Sequence, residues 1–464
     1  VRCRCRPGGE EEVLEGLLSW LRDLGARGID DLRLARSPEP GKGRAVFAAR
    51  DFEAGEVLCE IPPAAILAAS EPSAHEDVPE VALAAALLRE RRLGRRSALA
   101  PYVAALPGLG RVAPGHPLFW PRGLRPEELL AGSPHGLRIA TDALANATRH
   151  VAALLASGAA EDEAEARWAL AVVDSRAFTF EIDTAQEQLA LVPLVDMLNT
   201  SSSYADGDAL WQCSFEPEGP VSEGAKFVVE RPACRGDELI HVYSNLSTAM
   251  FWMGYGFMEG GDGENPFEVA GLIADASRAL ATDSAEVREA KMAALRAAGF
   301  EPQRPLFFEL PEDGQVGGAM LPVARLLAYQ CAGEEEVRRT AVDIFRCVGD
   351  EPAAPLPKNF GLALELRARG LVVEWLRAAL GESREAERRL EEEQRAGETA
   401  PPEEGWLLRR MAARLLRRER PLLELDLAAS EAFLRRGREA AGEEAEEALE
   451  AESWDEESGW LGAG

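Results

Sequence analysis

The chain has 464 residues, of which 46% are hydrophobic and 28% charged, and its formal net charge is −29 at pH 7. That length suits two or three domains, each able to bury its own core. The acidic balance excludes a general affinity for the phosphate backbone, which asks for concentrated Lys and Arg, and no apolar run approaches the ~18 residues of a membrane span. Neither nucleic acid nor a membrane is therefore expected as a partner, and a basic protein surface is easier to accommodate.

The seven cysteines, Cys3, Cys5, Cys59, Cys213, Cys234, Cys331 and Cys347, are odd in number and follow no framework spacing, which indicates the reduced thiols of an intracellular protein. Cys3 and Cys5 lack a matching pair, so no metal site is expected. The chain begins at Val1 rather than Met, which reads as a fragment or a processed form. Its basic start, 1–6, is compatible with the remnant of a transit peptide.

In chain order, Val13, Leu14, Leu17, Leu18 and Leu21 recur at a helical period before Gly25, predicting a helix over 10–24. Short β-type runs at 32–35, 45–49 and 57–61 predict a small antiparallel unit closed by Pro62-Pro63. From Val81 the pattern turns helical, and 73–167 reads as mostly helix with loops at Pro107-Gly108, Pro114-Gly115 and Pro121. Strand character returns over 189–198, 226–230 and 238–243, while 201–208 is a loop by composition. Beyond Asn265-Pro266 the reading is almost wholly helical to about Arg436, most clearly over 321–331, 360–380 and 407–415. The acidic run 443–457 repels itself and predicts a disordered, solvated tail over 437–464.

Two distant segments break from apolar runs into polar residues: Pro193-Leu194-Val195-Asp196-Met197-Leu198-Asn199-Thr200 and Glu238-Leu239-Ile240-His241-Val242-Tyr243. Burying a carboxylate and an amide without partners is costly, so Asp196 and Asn199 must be satisfied by backbone, by each other or by a ligand. A turn closed by their own side chains is the plainer alternative. Gly41-Lys42-Gly43 is a weak signal by itself, and the β-branched and aromatic residues after it speak against a phosphate loop. Arg176 closes a helix containing Trp168, where it also complements the helix dipole.

The order and spacing of Gly43-Arg44-Ala45-Val46-Phe47-Ala48, Ser175-Arg176-Ala177-Phe178, the 193–200 and 238–243 segments and Tyr255-Gly256-Phe257 resemble the SET-domain protein methyltransferases. The similarity is to the subfamily of the Rubisco large-subunit lysine methyltransferases and the actin-histidine methyltransferases. Leu87-Leu88-Arg89-Glu90, Gly94, Ser97, Pro101-Tyr102 and Leu106-Pro107 look like that subfamily's helical insertion and are expected to touch no chemistry. The resemblance, from about Leu17 to Phe433, implies an α+β chain: a β-rich SET domain over 10–260 with a helical insertion at about 73–167 and a pseudoknot in which 243–257 threads beside 196–199. An all-α substrate-binding domain over 264–436 would follow.

The same resemblance implies a monomer that uses S-adenosyl-L-methionine to methylate a lysine of a folded protein. Tyr243 would orient the acceptor. Gly43, Arg44, Ala45, Arg176, Asp196, Asn199, Thr200 and Phe257 would hold the cofactor, and Phe178, Val195 and Tyr255 would line the lysine channel. Phe178 and Val195 stand where the histidine-methylating branch carries asparagine and tryptophan, which favours lysine over histidine. Four positions depart from the pattern: Ala45 for the second glycine, Thr200 for a histidine, and Thr248 and Met250 for asparagine and glutamate. They keep open an alternative, a degenerate SET protein that binds partners without transferring methyl groups.

Overall fold

The computed structural model describes residues 9–38, 43–69, 78–109, 114–183, 186–200, 204–205, 208–209, 213–216, 220–243, 245–258, 265, 267–301, 305–311, 319–331, 333–345, 361–397 and 405–457. The basic start with Cys3 and Cys5, Gly41, Lys42, most of the 201–208 loop, Pro266, Cys347 and Trp460 lie outside them. The chain forms two compact units, Val1–Leu124 with Ile139–Pro266 and Arg125–Arg138 with Phe267–Gly464.

The first unit opens with helix Gly9–Asp23, which carries Glu10, Glu11 and Glu12 in its first turn, Arg22 in its last, and buries Leu17 and Leu21. That charge order suits the helix dipole. Strand β1 (Leu32–Arg36) pairs antiparallel with β2 (Arg44–Ala48), Leu32 opposite Ala48 and Arg36 opposite Arg44. Ala45 to Ala48 are all buried, as a continuous apolar run covered on both faces should be. The further strands are β3 (Val57–Ile61), β4 (Leu67–Ala68), β5 (Ala177–Asp183), β6 (Gln186–Leu191), β7 (Tyr204–Ala205), β8 (Asp208–Ala209), β9 (Cys213–Glu216) and β10 (Ala225–Val229). They form antiparallel sheets in the orders β3-β10-β9 and β4-β6-β5, with β7-β8 a short pair.

Helices Pro79–Leu93 and Glu163–Arg176 pack together over Leu83, Leu87 and Val172, all fully buried. Asp162 caps the second helix by accepting the Glu165 N–H at 2.8 Å, which satisfies one of the unpaired donors of its first turn. Strand β5 begins at the next residue after this helix, so Arg176 stands where helix gives way to sheet.

One expected strand, 189–198, ends early and another, 238–243, is absent. The ladder of β6 stops at Leu191 because Pro193 has no N–H to donate. Leu194 then turns the chain at φ 74°, and Val195–Met197 is a 3₁₀ turn. With ψ −54°, Leu194 has the rare, strained γ-turn geometry, which costs about 1–3 kcal/mol, and complete burial of the side chain, worth about 1.5–3 kcal/mol, offsets it. Segment 238–243 forms single bridges instead of a strand: Phe47 with Glu238, Asn199 with Ile240 and Cys213 with His241. The later chain thus lies beside 198–200, the neighbourhood expected of the pseudoknot.

The second unit is mainly helical, with Ala285–Ala297, Met320–Ala328, Glu334–Phe345, Leu362–Gly397 and Trp406–Glu457 as its larger helices. It also holds a two-stranded antiparallel sheet, β11 (Val269–Ala274) with β12 (Leu306–Pro311), which the wholly helical reading missed. Segment 125–138, expected in the insertion of the first domain, belongs here by packing. A Cβ on Gly132 would meet the Ala386 Cβ at 2.7 Å and the Ser383 Cα at 2.9 Å, and Ser133 Oγ donates to Glu419 Oε1 at 2.8 Å. The last helix continues through the acidic run to Glu457, where a disordered tail was expected from charge; alanine and glutamate are strong helix formers. Among the described residues no helix is long and apolar enough to cross a membrane.

Candidate functional site

The 3₁₀ turn carries Asp196 into the interior, where its side chain is 0% exposed. Tyr102, itself fully buried, donates its hydroxyl to Asp196 Oδ2 at 2.9 Å. Arg176 Nη1 donates to the Asp196 carbonyl at 2.7 Å and approaches Oδ2 at 3.5 Å. Burial pushes the Asp196 carboxyl above the usual range, against the opposing pull of Arg176, Tyr102 and Arg44. Among the described residues, Asp196 Oδ1 and Arg176 Nε are buried without hydrogen-bond partners. Two buried polar atoms left this way mark a group with capacity still unspent.

Asn199 joins this cluster to strand β2. Its amide Nδ2 donates to the Arg44 carbonyl at 3.1 Å and to Glu238 Oε1 at 2.8 Å, while Ser37 Oγ donates to Glu238 Oε2 at 2.7 Å. Both amide hydrogens are thereby spent, and Oδ1 remains as an acceptor. The Arg44 guanidinium donates to the Ala105 carbonyl at 2.7 Å; burial and then the nearby Arg176 cation hold its pKa below the usual arginine value. Gly43 precedes it at φ 74°, in the left-handed region that favours glycine.

Backbone bonds set the later segment in place. Leu239 N–H donates to the Val46 carbonyl at 2.8 Å, and His241 N–H to the Asn199 carbonyl at 2.9 Å. Thr200 Oγ1 accepts the Tyr243 N–H at 3.3 Å, and the Tyr243 hydroxyl donates to the Leu198 carbonyl at 2.7 Å. The phenol therefore stands one residue from Asn199 and two from the Asp196–Arg176 cluster.

Around Tyr243 the rings form a continuous array. Tyr255 lies at 5.0 Å and Phe251 at 6.3 Å between centroids, the latter stacked at 10°. On the other side His241 lies 6.3 Å from Tyr243 and 5.8 Å from Phe178, which meets Phe227 edge-on at 5.5 Å. Helix Thr248–Tyr255, capped by Ser247 and ended by Gly256 at φ 74°, presents Phe251 and Tyr255. Trp252 on the same helix anchors it, sharing the Gly115 carbonyl with Trp120 at 2.9 and 2.8 Å. Burial pushes the Tyr255 phenol up to about 12, so it stays neutral.

No protein-family model matches this chain, and no curated protein matches it. Among solved structures, the SET domain of LSMT bound to lysine and AdoHcy aligns with a TM-score of 0.61 and 17% identity, covering 91% of this chain and 91% of the other. Rubisco LSMT bound to sinefungin and monomethyllysine aligns with a TM-score of 0.61 and 16% identity, covering 92% of each chain. The chain has the SET fold. At that identity the likeness is one of fold, with a helical C-terminal region in the second unit.

Within the SET fold, Arg44, Arg176, Asp196, Asn199, Thr200 and Tyr243 come together as one polar cluster, and Phe178 and Tyr255 flank it. Ala45 is fully buried in β2 and Val195 is 2% exposed in the main core, so both side chains are enclosed by protein. Phe257 is 39% exposed against Phe251 and Tyr255. Tyr102 was expected to touch no chemistry, yet its hydroxyl holds Asp196; a lone tyrosine in a helical insertion carries no local signal of that partner. Glu238 and His241 were overlooked although both lie in a segment the sequence singled out.

Proposed function

We propose that this chain is an S-adenosylmethionine-dependent protein-lysine N-methyltransferase acting on a folded protein. The observation that carries the reading is the Tyr243 hydroxyl on the Leu198 carbonyl, at 2.7 Å, beside an amide and a guanidinium with unspent capacity. Solved structures with this fold bind AdoHcy, sinefungin, lysine and monomethyllysine, which supports it.

The residues fit such a cofactor. Asn199 Oδ1 is an acceptor suited to an ammonium group, and the unpartnered Arg176 Nε is a donor suited to a carboxylate. When bound, the cofactor supplies a methyl group on a positively charged sulfur. The chain's own task is then to present a neutral amine in line. A lysine with a pKa of about 10.4 pays about 4.6 kcal/mol at pH 7 to become neutral, and enclosure among Phe178, Tyr243 and Tyr255 lowers that cost by disfavouring the charged form. With its O–H donated in a hydrogen bond to the Leu198 carbonyl, the Tyr243 oxygen accepts from the amine and fixes where the lone pair lies, so alignment supplies much of the acceleration.

A second reading, partner binding without transfer, is favoured by Met250, which lies 40% exposed in the first turn of helix Thr248–Tyr255 where the resemblance calls for glutamate. Titration calorimetry with S-adenosylmethionine separates the two. The enzyme binds on the order of micromolar or tighter, about −8 kcal/mol, and incubation with labelled cofactor and a lysate then gives labelling that Tyr243→Phe abolishes. Absence of binding heat, or equal labelling with Tyr243→Phe, overturns the proposal.

A further inference from the structure

His241 stands two residues before Tyr243, and in extended chain such residues share a face. Its ring lies among those of Phe178, Phe227 and Tyr243, at 5.8, 5.8 and 6.3 Å between centroids. Nδ1 is 3.3 Å from the carbonyl oxygen of Cys213. A carbonyl has no hydrogen to give, so Nδ1 carries one, and Nε2 of the neutral ring is a bare lone pair. Burial holds the imidazole below the usual histidine range, which keeps that tautomer at neutral pH. Nε2 makes no hydrogen bond among the described residues, and the ring is half-buried.

The aromatic array thus contains two polar atoms able to accept, the Tyr243 oxygen and His241 Nε2. A wall of this kind suits a nitrogen that still carries hydrogen. We propose that His241 is a specificity-determining residue for the acceptor: Nε2 accepts an N–H from the substrate amine beside the one taken by Tyr243, favouring unmodified lysine over its methylated forms. The inference rests on the function proposed above. Neutral lysine has two N–H, one for each acceptor; neutral monomethyl-lysine has one to share between them and neutral dimethyl-lysine has none, so each methylation weakens the hold and slows the next transfer.

The test uses the full chain with histidine labelled by ¹⁵N, saturated with S-adenosylhomocysteine and titrated with free L-lysine and then with N6-trimethyl-L-lysine. Lysine is expected to move the Nε2 resonance of His241 and to bind about tenfold or more tighter than trimethyl-lysine, the worth of a hydrogen bond to a charged group. Replacing His241→Phe brings the two affinities within about twofold, and His241→Gln, which keeps an acceptor, retains most of the difference. Lysine binding that leaves Nε2 unmoved, or an unchanged affinity ratio in His241→Phe, overturns this inference while leaving the proposed function standing. Failure of both amines to bind the saturated protein overturns the lysine reading itself, and this inference with it.

Discussion

Replacing Tyr102→Phe removes one oxygen and leaves the ring. The lost hydroxyl is the 2.9 Å donor to Asp196 Oδ2, in surroundings where neither group reaches water and Asp196 Oδ1 is already unpartnered. A hydrogen bond to a charged group is worth about 1.5–3 kcal/mol, and with no solvent to replace it the loss is set at about 2–3 kcal/mol. For a unit of this size, about 2–4 °C of melting temperature accompanies each kcal/mol, so a fall of about 4–12 °C is expected.

The pH dependence has a definite sign. Asp196 titrates above its unfolded value, so its contribution is fully present below the unfolded pKa and is lost as pH rises through the folded one. The Tyr102 hydrogen bond lowers the Asp196 pKa; removing it raises that pKa further, and the gap between variant and parent widens from acid to neutral pH. Denaturation of Tyr102→Phe, Asp196→Asn and the double variant measures the coupling. Additivity within about 0.5 kcal/mol, or a gap that narrows as pH rises, refutes the reasoning.

Arg176→Lys loses the donation to the Asp196 carbonyl and the unpartnered Nε; it should weaken S-adenosylmethionine about tenfold, the order of one charge-assisted hydrogen bond, as calorimetry would show. Glu419 is 2% exposed in the second unit, and burial and Glu268 push its carboxyl well above the ordinary range despite Ser133. Its stabilising form is therefore the protonated one, present below the unfolded pKa and lost as pH rises through the folded value. Glu419→Gln should stabilise the protein at pH 7–8, with the advantage vanishing below about pH 4.5 in denaturant titrations. Lys291, 1% exposed, is held by Asp283 at 2.9 Å and the Leu327 carbonyl at 3.0 Å; Lys291→Met leaves Asp283 unpaired and should cost about 3–5 kcal/mol by the same measurement.

Local pattern made much of the fold legible. The period of Leu17 and Leu21 placed the first helix, apolar runs placed β1, β2, β3 and β10, and Arg176 stood at its helix end as read. The resemblance to the SET enzymes implied that Tyr243 and Asn199 lie close together, and the Tyr243 hydroxyl does reach the Leu198 carbonyl next to Asn199. The reading failed where local and distant demands diverge. Pro193 and the positive φ of Leu194 cut a strand short into a 3₁₀ turn, and that turn buries the Asp196 side chain. The 238–243 segment is strand-like in composition, but it finds its hydrogen bonds one at a time from Val46, Asn199 and Ile240–Cys213.

By itself the sequence determined most of the helices, the strands β1, β2, β3 and β10, and which polar residues interrupt apolar runs, because propensity and periodicity act over a few neighbours. Only the tertiary structure decided that Tyr102 closes on Asp196 from 94 positions away, that His241 stands among Phe178, Phe227 and Tyr243, and that 125–138 packs with the second unit. Those outcomes depend on which buried donors and acceptors find each other once water is excluded, and a linear pattern holds no record of that choice.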